Sequence, residues 1–234
     1  MMNRPTDPAM IRRALIAVLL LAAAAAAGAA DTDAPAWYDV EVLVFKNNAP
    51  ADGGEIWPAD PGHPDLEKAV ELVPVPQANP LPGSPQPFQQ LDETAFTLKT
   101  AATRLTGSPN YKPLLHLAWL QPAGAQTDAP AVHIHTDGSR DAAGTEDART
   151  LDGSIRLSRS RFLHVDVDLV YHDAGVRSSA SGSGSDEPPT LFRLQQSRRV
   201  NSGELHYFDN PVFGLLVKVT PHETGQKDGR GKAR

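Results

Sequence analysis

Apolar and polar side chains alternate with a period of two through most of this chain. In residues 37–45, WYDVEVLVF, Tyr38, Val40, Val42 and Val44 fall on one side and Asp39, Glu41, Leu43 and Phe45 on the other. That period, with its β-branched residues, predicts a strand with a largely buried end. Residues 111–120, YKPLLHLAWL, predict a second strand. Leu115, Leu117 and Trp119 share one face, and Leu114, His116, Ala118 and Leu120 the other. Residues 153–158 and 161–171 predict a hairpin about Arg159 and Ser160. Its second arm turns Leu163, Val165, Val167, Leu169 and Tyr171 inward and Phe162, His164, Asp166, Asp168 and Val170 outward. Residues 132–135 predict a short edge strand. Residues 190–200 and 212–219 predict two more, on either side of a compact turn in NSGELHYFDNP.

One stretch changes period. Leu91, Ala95, Leu98, Ala102 and Leu105 recur at spacings of four and three, which predicts a helix over residues 91–106. Arg104 falls in its last turn, Gly107 suits its cap, and Pro109 prevents continuation. A stripe of Leu and Ala alone predicts packing against a sheet. Residues 47–87 are crowded with proline, with a shorter helix predicted from Pro64 through Leu66, Ala69, Val70 and Val73. The run SSASGSGSDEPP within 173–189 has the composition of a flexible insertion. Strand, helix, then strands in antiparallel succession predict a single α+β domain. It would be mostly antiparallel sheet, with one main helix and long Pro-rich and Gly/Ser-rich loops.

The first thirty residues add a destination. Arg4, Arg12 and Arg13 precede an apolar run from Ala14 to Ala27, and Gly28, Ala29 and Ala30 supply the small side chains of a cleavage site. Residues 1–30 are therefore expected to be a signal peptide, 31–222 the exported domain, and 223–234 a disordered tail. The apolar run is shorter than a spanning helix needs, so no stable membrane insertion is expected after cleavage. The chain has no cysteine, which excludes disulfides and thiol chemistry. Losing residues 1–30, with three Arg and one Asp, takes the formal charge from −6 to −8. Nucleic acid and anionic lipid would repel such a domain.

Few residues suggest chemistry. His164, Asp166 and Asp168 lie on one face of a strand, but side chains two apart stand about 7 Å apart along it and rarely converge on one ion. His133 and His135 share that weakness. No nucleophile motif, metalloprotease motif or phosphate loop is present. The expectation is no catalytic residue, no metal and no cofactor. Flat faces and guanidinium groups are better candidates for binding. Trp57, Trp119, Tyr207 and Phe208 could offer flat faces to sugar rings, Arg198 and Arg199 could pair with the carboxylates of a peptide stem, and the candidate surface combines Trp57, Arg198, Arg199, His206 and Tyr207. Trp119, inside an apolar strand, is expected in the core.

Taken together, several segments resemble the CsiV family of periplasmic peptidoglycan-binding proteins. They are WYDVEVLVFKN, Glu55-Ile56-Trp57-Pro58, YKPLLHLAWLQP, GSIRLSRSRFLHVDVDL and SRRVNSGELHYFDNPVFGLLVKVTP, in the family's order. Asn210 stands where the family pattern often has a histidine. The resemblance implies a non-enzymatic periplasmic accessory that binds peptidoglycan. It also implies partnership with a bifunctional penicillin-binding synthase and its outer-membrane lipoprotein activator. An adaptor that meets only proteins, and a metal-dependent or wall-cleaving hydrolase, are the alternatives.

Overall fold

The alternating segments become strands in the computed structural model, which describes residues 36–49, 60–75, 86–136, 150–173 and 190–223. In chain order the strands are β1 (Trp37–Asn47), β2 (Gln89–Gln90), β3 (Tyr111–Pro122), β4 (Ala131–His135), β5 (Leu151–Arg159), β6 (Leu163–Asp173), β7 (Thr190–Val200), β8 (Leu205–Asp209) and β9 (Phe213–Pro221). One helix, α1 (Lys99–Thr106), lies between β2 and β3. The strands form a five-stranded sheet, β2-β3-β1-β9-β8, and a four-stranded sheet, β4-β5-β6-β7. Every pairing among these strands is antiparallel. The mostly antiparallel architecture with one helix follows the pattern; the division into two sheets does not appear in it.

The sheets meet through the residues that alternation turns inward. Val40, Val42, Val44, Trp119, Phe208, Phe213, Leu215 and Val217 from one sheet share a buried cluster with Ile134, Ile155, Leu157, Val165, Val167, Leu169, Phe192 and Leu194 from the other. Trp119 is fully buried, as expected of a core residue, and its indole N–H donates to Gln121 Oε1 at 2.6 Å. Gly153, at φ +152°, is required where β5 meets β6, since a Cβ there would lie 2.2 Å from the Asp168 carbonyl oxygen.

Four expectations need correction. The compact turn expected in NSGELHYFDNP holds the strand β8, which pairs with β9 in a hairpin. The helix predicted over 91–106 is shorter: residues Glu93–Ala95 make a 3-10 turn and α1 begins only after Leu98. Glu41 draws the chain between them down onto β1 by accepting from the backbone N–H groups of Thr97 and Leu98. The helix predicted from Pro64 is replaced by a strap. Val70 bridges Val132 of β4 and Val73 bridges Gln89 of β2, both parallel, so strand edges take the amides a helix would have used. Val170, expected outward, is only 2% exposed. Arg193, its register partner, donates to the Pro61 carbonyl, so the chain near Pro61 lies over that end of the sheet.

The expected signal peptide, Trp57, the Gly/Ser run after Asp173 and the tail from residue 224 lie outside the described residues. Among the described residues, no helix is long and apolar enough to cross a membrane.

Candidate functional site

Alternation along β1 turns Glu41, Leu43 and Phe45 away from the sandwich core. The first two are covered. Glu41 accepts from the Thr97 hydroxyl at 2.6 Å, the Thr97 amide at 2.8 Å and the Leu98 amide at 2.9 Å, and it pairs with His116 Nε2 at 2.8 Å. Burial alone pushes its carboxyl pKa up, but these four hydrogen bonds together outweigh burial and hold it below its ordinary value. Leu98 has no side-chain cap of its own, so Glu41 supplies a carboxylate to the positive end of α1 from another element.

Phe45 lies beyond this cover, and there the outer face opens. A register shift between Val44 and Phe45 pairs Val44 with Leu115 but Phe45 with Pro113. The extra residue on β3 reverses its alternation, so Tyr111 comes to the outer face instead of the core. Proline is tolerated at such a bulge. Tyr111 meets Phe45 edge-on, with centroids 5.4 Å apart and planes at 90°. Tyr207 of β8 stacks on the other side of Phe45, at 6.1 Å and 13°. Gly214 forms the floor between them: a Cβ there would lie 2.7 Å from the Tyr207 ring and 2.8 Å from Phe45.

Phe45 is buried beneath the two tyrosines, which remain 39% and 44% exposed, and Leu205 extends the apolar surface at 52%. The Tyr207 hydroxyl donates to Asp209 Oδ1 at 2.6 Å. Burial first, then that hydrogen bond and the charge of Asp209, push its pKa well above the usual phenol range. The ring is thus a fixed, neutral face.

The sequence candidates divide among three places. Tyr207 is in the aromatic patch. Arg198 and His206 lie on the adjoining edge, where β7 of one sheet approaches β8 of the other. Arg198 Nη1 donates to the Tyr207 carbonyl at 2.9 Å, with its guanidinium 5.3 Å from the Phe208 ring centroid. Gln196 Nε2 does the same for the Asp209 carbonyl, so side chains occupy the acceptors of the β8 edge. His206 Nε2 accepts from the Asn201 amide at 3.0 Å. Arg199 is on the opposite outer face, 3.3 Å over the exposed ring of Phe162. Asn210 is 7% exposed; its amide donates to the Arg193 carbonyl and its oxygen accepts from the Val212 amide, which fixes the turn into β9.

The three residues on β6 do not converge. His164 faces the Phe162 carbonyl, Asp166 accepts from Ser197, and Asp168 is clasped by Arg193 at 2.7 and 2.8 Å. The pair on β4 behaves differently. The rings of His133 and His135 are 4.5 Å apart, centroid to centroid, and Glu71 of the strap lies against both. They border a cleft of about 450 Å³ that Leu114, Leu115 and Leu117 also line.

Residues 14–222 match the family model described as peptidoglycan-binding protein, CsiV. The chain belongs to the CsiV family. The match runs to the residue after the last strand, so every strand and α1 fall within the CsiV span. Among curated proteins and among solved structures, nothing matches the chain. The CsiV-like segments WYDVEVLVFKN, YKPLLHLAWLQP and the one containing HYFDNP deliver Phe45, Tyr111 and Tyr207 respectively, so three distant stretches meet at one patch. Phe45 and Tyr111 escaped sequence reasoning. An aromatic on the outward register of β1 was a signal for the first, and Pro113 within the β3 pattern was a signal for the bulge that redirects the second.

Proposed function

We propose that this CsiV-family chain is an exported, non-enzymatic accessory protein that binds peptidoglycan in the periplasm through the patch formed by Phe45, Tyr111 and Tyr207. The observation that carries the reading is a pair of half-exposed tyrosine rings held rigid against a buried phenylalanine. Pyranose rings present apolar C–H faces, and preorganised aromatic surfaces bind them at small entropic cost. Arg198, bonded to the Tyr207 backbone carbonyl on the adjoining edge, is the cation suited to a stem-peptide carboxylate. Trp57 remains a candidate for the same surface. A binding role rather than hydrolysis is supported by the acids of β6, which pair separately with Ser197 and Arg193. The cellular role we propose is support of a bifunctional penicillin-binding synthase and its lipoprotein activator.

The test is co-sedimentation of the chain with purified sacculi at low and moderate salt. Binding that survives moderate salt and falls in Tyr111→Ala and Tyr207→Ala supports the reading. No binding by the unaltered chain favours an adaptor that meets proteins alone, and crosslinking in the periplasm would then identify its partner.

A further inference from the structure

Glu71, His133 and His135 stand together although the strap and β4 are far apart in sequence. Their nearest ligand atoms all lie within 4.8 Å of one another. His133 Nδ1 is 2.5 Å from Glu71 Oε1, and His135 Nε2 is 3.5 Å from Glu71 Oε2. The far nitrogen of each ring also faces an acceptor: His133 Nε2 lies 2.9 Å from Asp152 Oδ1, and His135 Nδ1 lies 3.4 Å from the Thr136 carbonyl.

A neutral imidazole carries one N–H and one lone pair. If Asp152 and Thr136 take the N–H groups, the lone pairs of both rings point toward the Glu71 carboxylate, acceptor against acceptor. One divalent cation relieves it at once, taking a lone pair from each imidazole and an oxygen from Glu71.

We propose that Glu71, His133 and His135 form a binding site for a divalent transition-metal ion of the zinc class. Two imidazoles and a carboxylate favour zinc and its neighbours over magnesium or calcium. Bonds of about 2.0–2.1 Å place tetrahedral ligand atoms roughly 3.4 Å apart, so the observed spacing closes by small rotations, chiefly of the exposed Glu71. Asp152 and the Thr136 carbonyl orient the two rings by hydrogen bonds to their other nitrogens. The three residues line the same cleft as Leu114, Leu115 and Leu117. The ion also ties the strap to β4, and with it the edges of the two sheets.

The experiment uses the chain freed of any polyhistidine tag and stripped with chelator. Zn²⁺ is titrated by calorimetry, with Mg²⁺ as the comparison, alongside Glu71→Gln, His135→Ala, Asp152→Asn and His164→Ala. One Zn²⁺ per chain is expected, with a rise in melting temperature and no Mg²⁺ binding. Glu71→Gln and His135→Ala should each weaken Zn²⁺ binding roughly tenfold or more, and Asp152→Asn by roughly 10–100-fold. His164→Ala should bind like the unaltered chain. Glu71 is 65% exposed, so its variant tests the site without endangering the fold. Absence of saturable Zn²⁺ binding, or binding undiminished in both Glu71→Gln and His135→Ala, overturns the proposal.

Discussion

The Glu41 carboxylate accepts the Leu98 amide hydrogen at 2.9 Å, although 57 positions separate the two residues. A buried acid on β1 therefore sets where α1 starts.

Glu41→Gln should lower stability by about 2 kcal/mol at pH 7, because a neutral amide is a weaker acceptor and brings donors toward donors. The pH dependence has a definite sign. The folded carboxyl titrates below its ordinary value of 4.5, so its contribution is complete above that pH and is lost as pH falls through the folded value. Urea unfolding between pH 3 and 7 should give a shallower acid limb for the variant. Parallel limbs would mean that Glu41 is not the group responsible.

The aromatic patch depends on Gly214 as much as on its rings. Tyr207→Ala should reduce sacculus binding roughly tenfold or more while leaving the melting temperature within a few degrees, since the ring is half exposed. Gly214→Ala should also weaken binding, because its Cβ would enter the Tyr207 and Phe45 rings. It should cost about 1–3 kcal/mol as well. Binding that is unchanged in both variants would move the glycan surface elsewhere.

How far the chain discloses this arrangement depends on the kind of contact. The two faces of β1 and the inward face of β6 were legible, since a period of two needs only local sequence. So was the burial of Trp119. Tyr111 was not, because one bulged residue reverses every side chain beyond it. The start of α1 was hidden for another reason: its capping carboxylate belongs to a different strand. His133 and His135 could be seen as a pair, but Glu71 arrives from a segment whose own pattern suggests a helix. Arg198, His206 and Tyr207 are neighbours in space as in sequence, whereas Arg199 is separated from them simply by strand alternation.

Arg193 holds the Pro61 chain to the outer face through one guanidinium, with two hydrogen bonds to Asp168 and one to the Pro61 carbonyl. Arg193→Lys keeps the charge but loses the planar fork, so it should behave nearly as badly as Arg193→Ala. Both side chains are only about a fifth exposed, yet solvent still screens the pair, and about 1 kcal/mol is the expected loss. Amide exchange should rise at Gly62 and His63 in both variants and remain unaltered in β1. Protection retained around Pro61 would mean that other contacts hold the segment.

Arg198 occupies two roles that experiment can separate. Its bond to the Tyr207 carbonyl braces the β8 edge, and its charge is the one proposed to meet stem carboxylates. A charge that meets stem carboxylates makes binding salt-sensitive, whereas a brace does not. Arg198→Ala should therefore remove much of the salt-dependent part of sacculus binding, with a loss of stability below about 1 kcal/mol for one exposed hydrogen bond. Arg198→Lys, which keeps the charge without the planar fork, should recover most of that salt-dependent binding. If the lysine variant binds as weakly as the alanine variant and both melt at lower temperature, the brace is what matters. The cation for the peptide stem must then be sought at another residue.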